Sequence, residues 1–314
     1  MVPYQVVCSQ TDRPSWLKAR KTGVGGSDAG AILGISKWQT PLAVWVDKTT
    51  PLTQVDEPTE DQRWGLLKEP VILQEYARAV GAKLEMMPMI RSAEHPFMLA
   101  SLDALAHLPD GLRVVDAKST RSDDGWGEPG TDAIPADYAA QAHHYMAVTG
   151  IMRVDFAVLI GSADFRIYTV EADPEIQAGL VAREAEFWQR VVDRNPPQPR
   201  TMDDVKALFP MHQPGKRVEA ALIVQETVCA LVKAKALMTE MEGNVEEMEV
   251  IIKTAMSDAE ELSYKGQILA TWKTSKPRKS LDLDAIERDH PGLIAKYRVD
   301  GNSPRPFLLK GPPK

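Results

Sequence analysis

Two apolar runs meeting at a sharp turn constrain this fold more than any other feature of the chain. Residues 97–108, FMLASLDALAHL, and 112–120, LRVVDAKST, read as strands, and Pro109-Asp110-Gly111 between them is a strong turn signal. A hairpin turning at Pro109-Asp110 sets opposite each other residues whose numbers sum to about 219, and Asp103 and Asp116 meet that condition. A bulge at the turn would slip the register by one and still leave the two carboxylates near neighbours. Strand side chains alternate, so Asp116 and Lys118 share a face, while Val114, Val115 and Ala117 are small or apolar as in a buried strand.

Two carboxylates opposed across a ladder destabilise it. At about 4 Å and an effective dielectric near 20, the repulsion is on the order of 4 kcal/mol. A shared proton, a nearby cation or a divalent metal can offset it. Oxygen-only donors that leave open positions suit Mg²⁺, with Mn²⁺ as a substitute. Lys118 beside the pair can hold a water or a phosphate oxygen. D-x(12)-D-x-K is therefore a candidate core of a metal-dependent phosphodiesterase. The spacing alone leaves a plainer alternative open: a solvent-facing Asp103 and a surface Asp116–Lys118 ion pair.

Three further elements bear on that choice. Glu69 follows a helical turn in Gly65-Leu-Leu-Lys-Glu69-Pro70 and is either a third acid beside the metal or a solvated helix residue. Gln141 and Tyr145 are four apart on a helix and share a face, as active-site lining or as a half-buried polar pair. Arg20 and Ser27 flank the glycine turn Gly23-Val24-Gly25-Gly26. A guanidinium, a hydroxyl and the N–H groups of a helix start make an anion site, and an ordinary cap with a surface arginine is the alternative.

The order of these motifs resembles the YqaJ-type phage recombinase family, relatives of lambda exonuclease in the PD-(D/E)xK nuclease superfamily. It runs through W-L-x-x-R at Trp16–Arg20, G-G-S-D at Gly25–Asp28, G-x-x-x-E at Gly65–Glu69 and A-S-x-D at Ala100–Asp103. It continues through D-x-K at Asp116–Lys118, I-P-x-x-Y at Ile134–Tyr138 and Q-x-x-H-Y at Gln141–Tyr145. The chain departs from the family with Ala104 after the first aspartate, where glycine is frequent, and with Asp116 where glutamate is commoner.

The resemblance implies an α/β (α+β) fold, a central mixed sheet flanked by helices in a restriction-endonuclease-like core. It implies that Asp103, Asp116, the Ala117 backbone carbonyl and Glu69 hold Mg²⁺. It implies that Lys118 orients or activates the attacking water, that Gln141 and Tyr145 line the site, and that Arg20 and Ser27 bind the 5′ phosphate of the degraded strand. The expected activity is 5′→3′ digestion of linear double-stranded DNA, leaving 3′ single strands for recombination. The expected partners are duplex DNA ends, a single-strand annealing protein and further copies of the chain in a ring-shaped trimer. An endonuclease or a nuclease of other polarity on the same core is an alternative, as is a non-catalytic scaffold that binds DNA ends.

The rest of the chain sets the organisation. Asn195-Pro196-Pro197-Gln198-Pro199 is its clearest boundary. The expected domains are a nuclease core over 1–195, a linker over 196–217, and a C-terminal part over 218–314. That last part reads as a helical hairpin broken at Gly243-Asn244, a β-hairpin turning at Lys265-Gly266 and a basic tail with Lys273, Lys276, Arg278 and Lys279. In the helical part Leu222, Val224, Val228, Leu231 and Leu237 fit one face, and Met248, Ile251, Ile252 and Met256 another. Such faces pack on themselves or the core, or dock a partner or another protomer.

No apolar run approaches the length of a membrane span, the N-terminus lacks a signal-peptide pattern, and Cys8 and Cys229 make neither a disulfide framework nor a zinc spacing. The expected setting is a bacterial cytosol, with a phage or prophage origin. The formal net charge of −7 at first argues against a nucleic-acid binder. It is unevenly placed: residues 219–262 carry −7 alone, and residues 263–314 carry +6. DNA contact is then expected to be local.

Overall fold

The computed structural model describes residues 3–52, 57–277, 279–299 and 304–309. The chain divides into two compact units, Met1–Phe209 and Pro210–Lys314.

The first unit opens with β1 (Tyr4–Cys8), α1 (Arg13–Arg20), β2 (Val24–Gly25), α2 (Gly26–Leu33) and α3 (Pro41–Thr49). It continues with α4 (Glu60–Val80), β3 (Lys83–Glu85), β4 (Met89–Ser92), β5 (Met98–Ala100), β6 (Ala104–Leu108) and β7 (Gly111–Thr120). It ends with α5 (Ala136–Thr149), β8 (Arg153–Ile160), β9 (Asp164–Glu171), α6 (Pro174–Val192) and α7 (Met202–Leu208). Five strands form a mixed sheet in the order β3-β6-β7-β8-β9, and a second sheet has the order β1-β4-β5-β2. Within the five-stranded sheet only β7 and β8 run parallel, and α5 makes the crossover such a pair requires.

Alternation decides what each face of that sheet meets. Val115 and Ala157 pack with Ile72, Leu73 and Tyr76 of α4. Val114, Phe156 and Val158 pack with Ala142, Tyr145 and Met146 of α5. The sheet therefore lies between two helices, in agreement with the expected fold class.

Two expected strands are divided. FMLASLDALAHL separates into β5 and β6, in different sheets, with Ser101, Leu102 and Asp103 crossing between them. The Asp103 carboxylate accepts the Ala117 N–H at 2.8 Å, a side-chain contact beside the ladder. LEMMPMI divides in the same way into β3 and β4 around Pro88, which has no N–H to give a ladder. The expected linker over 196–217 contains α7, whose Asp204 accepts a hydrogen bond from Thr40 Oγ1 at 2.6 Å.

The second unit holds α8 (Leu222–Met256), β10 (Glu261–Tyr264), β11 (Gln267–Thr271), α9 (Leu283–Asp289) and α10 (Leu293–Tyr297). The β-hairpin stands where expected, with Lys265 and Gly266 both at positive φ. The helical hairpin does not: α8 is one helix of 35 residues. A glycine inside a helix costs only about 1 kcal/mol relative to alanine, and the surrounding Ala, Leu, Met, Glu and Lys residues are good helix formers. Of the basic-tail residues, Arg278 lies outside the described residues. No described helix is long and apolar enough to cross a membrane.

Candidate active site

The β6–β7 hairpin sets the centre of the site. Its register pairs Ala104 with Val115 and closes Leu108 on Gly111, with no bulge. Gly111 has φ +128°, which suits glycine alone, so the turn residue fixes the register. Asp103, one residue before β6, then stands beside Asp116 as the spacing predicts. Asp116 is buried and Asp103 half-buried. Burial, and then the Asp116 charge, push the Asp103 carboxyl well above its ordinary range, although Lys118 and the Ala117 N–H pull the other way.

Lys118 Nζ lies 2.5 Å from Asp116 Oδ1. Burial alone would depress this ammonium, but the Asp116 and Asp103 charges outweigh it and raise its pKa. The faces of Tyr138 and Phe156 lie 5.0 and 5.9 Å from Nζ. Trp126 stacks on Tyr138 at 5.4 Å and so fixes one wall of the lysine's slot.

Helix α5 brings Gln141 and Tyr145 to the same carboxylate. Gln141 Nε2 donates to Asp116 Oδ2 at 3.0 Å and to the Tyr145 hydroxyl at 2.7 Å. Tyr145 donates in turn to the Ser101 carbonyl at 3.2 Å. The backbone of α2 comes close to this ring: a Cβ on Gly26 would lie 2.5 Å from Tyr145 Cε1. Gly26 is thus required by its close approach to Tyr145.

Glu69 enters from α4, on the other face of the sheet, and is half-buried. Burial and then the Asp116 charge raise its pKa, with Lys118 opposing. It feels the acid pair electrostatically, but among the described residues no three His, Cys, Asp or Glu side chains converge into a metal cage.

At the other end, β2 pairs in parallel with β5, Gly25 against Leu99, so the start of α2 lies alongside the strand that leads to Asp103. Arg20 Nη2 donates to Ser27 Oγ at 3.3 Å and pairs with Asp28 Oδ1 at 3.5 Å. The guanidinium lies 4.9 Å over the Trp16 ring, whose indole donates to Ser101 Oγ at 2.9 Å. Asp28 is buried, and Lys48 Nζ, fully buried, meets its Oδ2 at 2.6 Å and donates to the Arg20 carbonyl at 2.9 Å. Burial would raise the Asp28 carboxyl, but Lys48 and Arg20 more than reverse this and lower it.

Arg20, Ser27, Glu69, Asp103, Asp116, Lys118, Gln141 and Tyr145 all line one cleft of about 920 Å³. Ala117 contributes its N–H to Asp103, and its side chain packs toward α4. In the sequence Asp28 stands only as the last residue of G-G-S-D, with no role of its own, and Lys48, Trp126 and Phe156 carry no motif. The G-G-S-D motif held the signal for Asp28. Lys48 is one cation among many in its segment, and nothing in its spacing marks it as buried.

The donor set fits a hard divalent cation. Asp103 and Asp116 offer oxygens only, and buried Asp116 Oδ1 meets the Lys118 ammonium at 2.5 Å without an aligned hydrogen bond. Mg²⁺ takes one or two carboxylates and keeps several waters, so a two-carboxylate site suffices for it.

Comparison with known proteins gives consistent likenesses. Residues 15–152 match the model of the YqaJ-like viral recombinase domain. The chain is 30% identical over 302 residues to the uncharacterized protein YqaJ of Bacillus subtilis (strain 168), covering 93% of this chain and 92% of that one. Among solved structures it is similar to an alkaline exonuclease from Laribacter hongkongensis, at 17% identity and a TM-score of 0.48, over 58% of this chain and 94% of that one. It is also similar to a phage-related exonuclease from Haemophilus somnus 129PT, at 13% identity and a TM-score of 0.36, over 57% and 99% of the two chains.

Proposed function

This chain belongs to the YqaJ-like viral recombinase family, and on that premise we propose that it is a Mg²⁺-dependent deoxyribonuclease that degrades linear duplex DNA from its 5′ ends. The observation that carries this reading is the convergence of eight separately predicted residues on one cleft. The names of the similar solved structures are in keeping with it.

In this reading Asp103 and Asp116 hold the cation, with Glu69 and the Ala117 carbonyl as further donors to it or to its waters. When bound there, a cation would supply an activated water and neutralise charge on the phosphate. Gln141 holds Asp116 in one orientation through its amide, and Tyr145 holds Gln141. Lys118, aimed by Tyr138 and Phe156, orients the water or binds a non-bridging phosphate oxygen. Arg20 and Ser27 take the terminal 5′ phosphate, and Asp28 and Lys48 hold the guanidinium in place. Attack forms a new P–O bond and breaks the bond to the 3′ oxygen of the departing nucleotide. The phosphate then stays on the remaining strand, so each turnover remakes the end that Arg20 binds.

The product is a 3′ single strand, the substrate of an annealing protein in recombination. The family resemblance adds a ring-shaped trimer around the duplex and a host cytosol as the setting. The test uses linear duplex labelled at each end and closed circular DNA, with Mg²⁺. Loss of the 5′ label alone is expected. Cutting of the circle would make the enzyme an endonuclease, and binding without cleavage would make it a scaffold.

A further inference from the structure

The absence of a break at Gly243 joins two apolar faces into one seam. In a continuous α8 a strict seven-residue period runs through Val224, Leu231, Met238, Val245 and Ile252. Three residues after each come Thr227, Ala234, Met241, Met248 and Ala255. Nine of these ten positions are apolar. Apolar residues spaced alternately by three and four over five heptads make a coiled-coil seam and impose a left-handed supercoil. A helix of this length spans about 52 Å. The middle of the seam is uncovered: Met238, Met241 and Val245 are 62%, 53% and 51% exposed. Gly243 falls at the position farthest from it, and nothing lies within 4 Å of where its Cβ would be.

The flanking charges select the occupant. With Val224 to Ile252 as a positions, the e positions are Val228, Lys235, Glu242, Glu249 and Met256, and the g positions are Ile223, Ala230, Leu237, Asn244 and Ile251. A parallel pair sets g against e, and no charge on g faces Lys235, Glu242 or Glu249. An antiparallel pair sets e against e. With Met238 of one copy beside Met241 of the other, Lys235 of each copy then faces Glu242 of its mate, on both sides of the twofold axis. The seam remains in register along its length, and the helix dipoles oppose favourably.

We propose that α8 pairs antiparallel with α8 of a second copy of this chain. The pair has a twofold axis, so it joins two copies into a C2 dimer, or two rings closed through the first unit into an assembly of dihedral symmetry. The full-length chain, weighed by sedimentation over a range of concentrations, tests this independently of cleavage. Met238→Asp is expected to halve the mass. Lys235→Glu and Glu242→Lys, both at exposed positions, are each expected to weaken that mass-doubling step about tenfold, because each sets like charges against each other twice. The double exchange is expected to restore it. A mass indifferent to Met238→Asp overturns the proposal, as does indifference to both single exchanges or failure of the double exchange to restore. Nuclease activity that persists in Met238→Asp leaves the proposed cleavage reading intact whichever way the masses fall.

Discussion

The two units handle their unfavourable groups in opposite ways. The first unit buries charge: Asp28 with Lys48, Asp116 with Lys118, Asp155 with Arg113, and His144 with Glu184. The C-terminal unit exposes apolar surface along α8. Buried charge, held in place and kept from water, is where selective chemistry on a phosphate is built. Exposed apolar surface at a fixed period is where association is built. The uneven charge lies within the second unit, with −7 over residues 219–262 and +6 over 263–314. The net charge of −7 is therefore a sum over unlike segments and describes no single surface.

If the first unit depends on paired buried charges, breaking one is the severest perturbation. Lys48→Met leaves Asp28 buried without its nearest cation and is expected to cost about 3–5 kcal/mol in chemical denaturation. A loss below 1 kcal/mol would show that Asp28 is held by Arg20 alone. Arg20→Ala is expected to reduce the preference for 5′-phosphorylated over 5′-hydroxyl ends about tenfold or more, with the Mg²⁺ requirement unchanged. An unchanged preference would remove Arg20 from the end-binding site.

A pH effect sharpens the contrast further. His144 is fully buried, with Nδ1 2.8 Å from Glu184 Oε1 and Nε2 2.8 Å from the Leu99 carbonyl oxygen. Burial would lower its pKa, but the Glu184 charge and these hydrogen bonds raise it. A raised folded pKa means that the protonated pair contributes fully below about pH 6.5, the unfolded value, and that the contribution is lost as pH rises through the folded value. The stability of the first unit is thus expected to fall on the alkaline side, and His144→Gln to flatten that slope. A wild-type slope in the variant would place its origin elsewhere. The smallest effect belongs to the second unit. Gly243→Ala is expected to stabilise α8 by about 0.5–1 kcal/mol in thermal melts followed by circular dichroism. A destabilised helix would mean a turn at Gly243.

The site was more legible than the elements that build it. Register follows from a turn residue and a period of two, so Asp103, Asp116 and Lys118 could be placed by counting. Gln141 and Tyr145 could be placed by helical spacing. The division of residues 97–108 between two sheets was not legible, because Asp103 bonds Ala117 N–H through its side chain and no periodicity marks where a strand leaves its ladder. Lys48 was hidden for a related reason: its partner lies 20 positions away in another helix. Gly243 misled because its cost in a helix is small beside the propensity of 34 other residues.

The proposed phosphodiester hydrolysis rests on the cleft around Asp103, Asp116 and Lys118. Asp116→Ala and Lys118→Ala, each compared with the unaltered chain on 5′-labelled linear duplex with Mg²⁺, test it most directly. Both variants are expected to keep a cooperative unfolding transition and to lose cleavage by about 10³-fold or more. Full Mg²⁺-dependent cleavage in either folded variant would contradict the assignment.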